Sequence, residues 1–313
     1  MALIWITGAR GFIGRNLAAH LAAQGHRVAG IGHGAWADAE AMAWGVAHWT
    51  NGDIQASNLE NLRRNFGAPD CIYHLAGGSS VGAAIAAPHE DFFRTVASTV
   101  NLLDWMRLES PTTRSVVVSS AAVYGAGHSG PIAEDTQGTP YSPYGYHKLM
   151  MEQLCRSYGA SYGLQSVVAR LFSVYGKGLR KQLLWDLCGK LSRNTGQIEL
   201  AGSGDELRDW VDIRDVARVL ARLPDAATAE SPALNVGMAK ATSVREIVEL
   251  ALSAWPSPAQ ISFSGQSRPG DPFSLVADNT RLALGGLDWQ VPVEQGIPDY
   301  VRWYLQQAEQ TPC

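Results

Sequence analysis

A doubly wound parallel α/β sheet is the fold class this sequence predicts. Three observations predict it: β-favouring runs alternating with helical apolar spacing, a glycine-rich first strand-to-helix turn, and an ordinary globular composition. The chain has 313 residues, 46% apolar and 17% charged, which is length enough to bury a substantial core. Leu3–Thr7 is a short β-favouring run, and the glycine-rich Gly8–Gly14 follows it. Phe12–Gln24 then places Phe12, Ile13, Leu17 and Leu21 near helical spacing ahead of Gly25, a helix-ending residue. Val28–Ile31, Cys71–Leu75, Ser115–Ser119 and Gln165–Leu171 read as further strands. Helical candidates at Ser57–Phe66, Glu90–Leu108 and Pro143–Ala160 lie between them. Such alternation puts helices on both faces of a parallel sheet.

After about Gly176 the pattern changes. Helical Leu183–Leu191 is followed by a polar turn at Gly202–Glu206, a second helix at Asp212–Leu223, and a capping box at Ser243–Glu246 that opens a third. Ser253–Pro272 is rich in Pro and Ser, and Trp289–Leu305 turns helical toward its end. No repeat, charge block or low-complexity linker separates the two parts, so a compact second lobe is expected rather than a tethered module.

Composition excludes several classes of function. The 25 basic and 29 acidic residues leave −4, too balanced for an electrostatic nucleic-acid binder. No apolar run approaches the roughly 20 residues that cross a bilayer, and Met1–Thr7 has no basic leader, so a soluble, cytoplasmic protein without a membrane partner is expected. The four cysteines, Cys71, Cys155, Cys188 and Cys313, contain no C-x-x-C pair, and the eight histidines no H-x-x-x-H pair. Neither a disulfide framework nor a metal site is expected.

The first turn reads Thr7-Gly8-Ala9-Arg10-Gly11-Phe12-Ile13-Gly14, a G-x-x-G-x-x-G spacing between a strand and a helix. Gly8 and Gly11 let the backbone approach a pyrophosphate that the helix N-terminus attracts, and Gly14 allows close packing. Dinucleotide sites place an acid after the second strand for the adenosine ribose, whereas this chain has Gly30-Ile31-Gly32-His33-Gly34. Without that acid a 2′-phosphate is admissible, facing His33 and Arg10, and Asp53 can instead reach the adenine. Tyr144 and Lys148, four apart in a segment that starts a helix after Ser142-Pro143, share one face, so the ammonium can lower the phenol pKa. Ser120 ends the strand-like Val116-Val117-Val118-Ser119-Ser120 run, beyond which ligands of open parallel sheets sit. A hydroxyl beside a Tyr–Lys pair above a nucleotide turn suits alcohol–ketone redox chemistry.

With these residues placed, the chain resembles the extended short-chain dehydrogenases/reductases, specifically the NAD-dependent epimerase/dehydratase family of nucleotide-sugar enzymes. The resemblance rests on TGARGFIG at Thr7–Gly14, HLAG at His74–Gly77, SSAAVYG at Ser119–Gly125, SPYGYHK at Ser142–Lys148, RLFSVYG at Arg170–Gly176, RDWVDIRDVA at Arg208–Ala217 and RPGDP at Arg268–Pro272. It implies a Rossmann-like dinucleotide domain over 1–175, with a returning segment near 207–237, and a smaller C-terminal α/β substrate domain over 176–313. It implies NAD or NADP held by Gly8, Arg10, Gly11, Phe12, Ile13, Gly14, His33, Asp53, Ile54, Leu75, Ala76, Gly77, Ser119, Tyr144 and Lys148. Tyr144 is implied as general acid/base, Lys148 on the nicotinamide ribose, Ser120 on the sugar oxygen, and Ser173, Arg208 and Arg268 on a nucleotide-diphosphate sugar. A homodimer through the Glu90–Leu108 and Pro143–Ala160 helices is also implied.

Departures from the family pattern narrow the reaction. The family's 4,6-dehydratases carry an Asp-Glu pair after the active-site hydroxyl, where this chain has Ala121 and Ala122; alanine moves no proton, so elimination is disfavoured. A nucleotide-sugar 4-epimerase leads, a reductase of a nucleotide 4-keto-6-deoxy sugar is the rival, and a non-catalytic dinucleotide sensor comes third. Thr95 and Ser173 stand where relatives often carry Asn, and both keep a shorter hydrogen-bonding reach. Trp5 and Trp289 are expected in the core, with Trp185 and Trp210 nearer the substrate lobe.

Overall fold

The computed structural model describes residues 1–193, 197–266, 271–286 and 288–310. In chain order the strands are β1 (Leu3–Thr7), β2 (Arg27–Gly32), β3 (Val46–Asn51), β4 (Cys71–His74), β5 (Arg114–Ser120), β6 (Pro131–Ile132), β7 (Ser166–Leu171), β8 (Ser173–Tyr175), β9 (Gln197–Leu200), β10 (Leu207–Arg208), β11 (Trp210–Asp212), β12 (Ala233–Val236), β13 (Thr242–Ser243), β14 (Gln260–Phe263) and β15 (Ser274–Ala277). The helices are α1 (Phe12–Ala23), α2 (Asp38–Ala43), α3 (Ala56–Phe66), α4 (Val81–Ala86), α5 (Pro88–Phe92), α6 (Ser98–Glu109), α7 (Pro143–Tyr162), α8 (Gln182–Arg193), α9 (Ile213–Arg222), α10 (Val244–Ser253), α11 (Thr280–Ala283) and α12 (Val293–Gln310). Among the described residues no helix is long and apolar enough to cross a membrane.

The chain divides into two compact units. The first comprises Met1–Gly125, Glu134–Leu171 and Val216–Val236, the second Ala126–Ala133, Phe172–Asp215 and Gly237–Cys313. The first is built on a seven-stranded sheet in the order β3-β2-β1-β4-β5-β7-β12, parallel at every pairing. Thr7 of β1 pairs with Ile31 on one side and His74 on the other, which is the point where strand order reverses. Covered on both faces, β1, β4 and β7 are almost continuously buried rather than alternating, as in a parallel sheet, and are mainly apolar apart from Thr7, His74, Ser166 and Arg170. Trp5 is fully buried and stacks on Trp105 of α6 at 5.2 Å, which places it in the core as expected.

The second unit contains three small sheets: β13-β10-β15-β6, β11-β8 and β14-β9. Their strands run two to four residues, too short for a period-two pattern to register in the sequence. Its helix signals are present: Ser243 and Glu246 form the capping box that opens α10. Trp185 packs edge-on against Tyr304 at 5.1 Å, and Trp210 against Tyr175 at 6.3 Å, so both serve packing within this unit.

One expected helix is broken. Glu90–Leu108 resolves into α5, a π-helical turn at Phe93–Ala97, and α6. Hydroxyls compete with the backbone here: Ser98 Oγ donates to the Arg94 carbonyl at 2.6 Å and Thr99 Oγ1 to the Thr95 carbonyl at 2.6 Å. Thr95 Oγ1 accepts the Gly78 N–H at 2.8 Å, tying this turn to the loop after β4.

A buried chain of hydroxyls and one imidazole joins that turn to β1. Thr7 Oγ1 accepts the N–H groups of Leu75 and Ala76, both at 3.1 Å, so its proton points to His74 Nδ1 at 2.8 Å. His74 therefore carries its proton on Nε2, which donates to Thr99 Oγ1 at 3.0 Å. Burial, aided by the Lys148 ammonium, lowers His74 from 6.5 to about 3, so the ring stays neutral. The unfolded chain takes up a proton near 6.5 that the folded chain refuses until about 3. Stability should therefore fall as pH drops across that window, by up to about 5 kcal/mol at 1.36 kcal/mol per pH unit. Urea unfolding at stepped pH checks this: His74→Gln should flatten the acid limb, and an unchanged slope would refute the assignment.

Candidate active site

The cradle at the end of β1 is backbone, and its shape depends on two glycines. Gly8 adopts φ +72°, and a Cβ there would sit 3.0 Å from the Ala76 nitrogen; a Cβ on Gly14 would come within 2.7 Å of Ala9 Cα. Close packing at Gly14 is thus onto the turn itself. Gly11 caps α1 with no side-chain hydrogen bond, and the first turn of α1 holds no acidic residue. The N–H groups at that end are left to bind an anion, assisted by the helix dipole. Phe12 and Ile13 lie half-buried in that first turn, and Leu75, Ala76 and Gly77 are half-buried in the loop after β4. This surface fits a dinucleotide pyrophosphate.

Around it, Arg10 and His33 are exposed, and a Cβ on Gly34 would meet Arg10 Nη1. His33 Nε2 lies 2.9 Å from Asp53 Oδ1, so the acid at the end of β3 faces the imidazole of the loop after β2. Ile54 is buried, its carbonyl accepting Asn101 Nδ2 at 2.9 Å.

Beyond the carboxyl end of β5 stand Ser120, Tyr144 and Lys148. Ser142 caps α7 by accepting the Gly145 N–H at 3.3 Å and Pro143 occupies its first turn, which starts the helix one residue before Tyr144. Lys148 is buried, donates to the Val118 carbonyl at 2.9 Å and lies 5.9 Å from the Tyr144 ring centroid. Ser120 both accepts the Ala122 N–H at 3.2 Å, as a turn cap, and hydrogen-bonds Tyr144. Burial pushes the Tyr144 phenol up, and the Ser120 bond opposes it only in part. The expected lowering by Lys148 is not seen: its ammonium donates to the Val118 carbonyl, and burial dominates the phenol. Burial lowers Lys148 itself from 10.5 to about 8, against the carboxylates of Asp91 and Glu152.

Ser119, expected at the cofactor, instead donates to buried Glu152 at 2.6 Å. Strand alternation explains this: with Ser120 toward the phenol, its neighbour faces the opposite way. In the second unit, Ser173 is half-buried on β8, its N–H donating to the Asp209 carbonyl at 2.9 Å. Arg208 donates to the Leu207 and Phe273 carbonyls at 2.8 and 3.2 Å. Asp209 is fully buried and accepts the N–H groups of Met238, Ala239 and Ala277, yet burial still raises it from 3.8 to about 6. Arg268 lies outside the described residues. Sequence reasoning missed the buried pair of His147 and Asp91 beside Lys148, 2.6 Å apart. Its partners are 56 residues apart, and no local spacing signals such a contact.

The sequence matches the NAD dependent epimerase/dehydratase family over residues 4–237. A UDP-glucose 4-epimerase of Azospirillum brasilense is 29% identical, the match covering 94% of this chain and 93% of the relative. One from Corynebacterium glutamicum is 30% identical across 91% of this chain and 89% of its own. Among solved structures, the UDP-glucose 4-epimerase of Thermus thermophilus in complex with NAD superposes with a TM-score of 0.84 at 26% identity, covering 97% of this chain and 99% of that one. The matched segment takes in the glycine cradle, the Ser120–Tyr144–Lys148 cluster and most of the sheet that carries them, so this chain is a member of the NAD dependent epimerase/dehydratase family.

Proposed function

We propose that the protein is a nucleotide-sugar 4-epimerase. The observation that carries this is a phenol, an ammonium and a hydroxyl gathered at the carboxyl end of β5, the same end of the parallel sheet as the glycine cradle after β1, with alanines at 121 and 122. The similar UDP-glucose 4-epimerases of Azospirillum brasilense and Corynebacterium glutamicum support the choice of reaction. A nicotinamide dinucleotide, when bound, supplies reversible hydride acceptance. Gly8, Gly11 and the N–H groups of the first turn of α1 would hold its pyrophosphate, and Lys148 would take a ribose hydroxyl. Tyr144 takes the proton from the hydroxyl at carbon 4 as that carbon is oxidised, and returns it when the carbon is reduced on its other face. Ser120 orients the same oxygen. Ser173, Arg208 and Arg268 are assigned to the nucleotide diphosphate, where an arginine fork gives paired hydrogen bonds, and the second unit, without the returning Val216–Val236, to the substrate domain.

A reductase of a nucleotide 4-keto-6-deoxy sugar is the second reading, favoured by Arg10 and His33 flanking the adenosine end with Asp53 turned to His33. Such an enzyme consumes a reduced, phosphorylated dinucleotide. Cofactor released on denaturation separates the two: tightly held NAD is expected for the epimerase. Preference for 2′,5′-ADP over ADP by tenfold or more, about 1.4 kcal/mol, would favour the reductase.

Tyr144→Phe should keep dinucleotide binding and lower interconversion of UDP-glucose and UDP-galactose by about two to four decades. Near-normal turnover would remove the acid/base role from Tyr144.

We also assign a homodimer, because Ile85, Phe92, Phe93, Tyr146 and Met150 on α4, α5, the π turn and α7 leave apolar surface exposed. Sedimentation should show a dimer that Phe93→Glu converts to monomer; a monomeric wild type would overturn it.

A further inference from the structure

Asp91 and His147 form a buried pair that the chemistry assigned to Tyr144 and Lys148 leaves unused. Asp91 Oδ2 is 2.6 Å from His147 Nδ1, with the side chains 6% and 11% exposed. His147 directly precedes Lys148 on α7. The Phe92 ring stands edge-on to the imidazole, 5.5 Å between centroids. The other carboxylate oxygen of Asp91 packs on Gly78 so closely that a Cβ there would overlap it. Next to it, a Cβ on Gly77 would lie 3.4 Å from Lys148 Nζ and 3.2 Å from Thr95 Oγ1. The carboxylate is therefore held from two sides, on the wall that also lines the ammonium.

A buried ammonium needs negative charge nearby, and two carboxylates supply it to Lys148: Asp91 and Glu152. Glu152 is already neutralised by Arg170, whose Nε and Nη2 donate to it at 3.0 and 2.7 Å. Asp91 is met, among the described residues, by the His147 imidazole rather than by a guanidinium. His74, on β4, is neutral, and the contact from β5 is the Val118 carbonyl. Asp91 also acts on Tyr144, disfavouring the phenolate.

We propose that Asp91, held in place by His147, is a positioning residue whose negative charge keeps the Tyr144–Lys148 couple loaded with both of its protons. This rests on Tyr144 and Lys148 being the acid–base couple assigned above. The pair then sets the pH at which the site changes from giving a proton to taking one.

The test is an NMR titration of the full-length protein carrying [ε-13C]lysine, with the Lys148 signal assigned through Lys148→Arg, alongside kcat against pH. Asp91→Asn keeps the shape and removes the charge. Lys148 should then titrate below its value of about 8, by about half a pH unit or more, and the alkaline limb of kcat should move the same way. His147→Gln keeps the carboxylate, so Lys148 should titrate at or above its wild-type midpoint. An unmoved midpoint in Asp91→Asn overturns the proposal, as does a fall in His147→Gln matching that of Asp91→Asn, since packing rather than charge would then be responsible. Should Asp91→Asn not fold, His147→Gln decides alone: a Lys148 midpoint at or above the wild-type one supports the proposal, and a midpoint below it overturns it. Normal turnover by Tyr144→Phe would sink the acid–base assignment instead, whatever the lysine midpoints do.

Discussion

Burial of the polar face of α7 against the central sheet is the constraint from which the rest follows. Tyr144, Lys148 and Glu152 recur every four residues and so lie along one stripe of the helix. Glu152 has no exposure, and a bare carboxylate there would cost several kcal/mol. Ser119 of β5 and Arg170 of β7 satisfy it, and Arg170 in turn donates to the Tyr124 hydroxyl and the Glu134 carbonyl, both at 2.8 Å. Tyr124 passes the chain to Asn235 of β12 at 2.6 Å. One end of the stripe is thereby locked across three strands, and the rigid helix carries Lys148 and Tyr144 to fixed places beyond β5.

That lock also explains why a cluster of ionisable groups is tolerated in a core built from Val and Ile strands. Each charge is met by another on a neighbouring element: Glu152 by Arg170, Lys148 by the Val118 carbonyl and Asp91. Such networks are strongly geometry-dependent, because removal of one member strands the others in low dielectric. Precision at the phenol is a by-product of satisfying these groups.

Much of this was legible in the sequence because its signals are local. Leu3–Thr7, the glycine turn and the apolar spacing of Phe12–Gln24 correspond to β1, the cradle and α1, and Ser142-Pro143 marked the start of α7. What escaped depends on contacts between distant residues. Ser119 and Ser120 look alike in a string, and only the pleat sends one to Glu152 and the other to Tyr144. The π turn follows from hydroxyl back-bonds that interrupt an otherwise helical pattern, and the pairs β10–β13 and β6–β15 are two residues long. Thr95 read as a loss of an amide; in the structure it anchors the loop after β4.

Asp209 responds to acid in the opposite sense to His74. Its carboxyl protonates at about 6 in the folded chain and at 3.8 without burial, so between those values the folded state binds a proton that the unfolded state does not. Acidification thus strengthens the second unit at this residue while it weakens the first at the imidazole between Thr7 and Thr99.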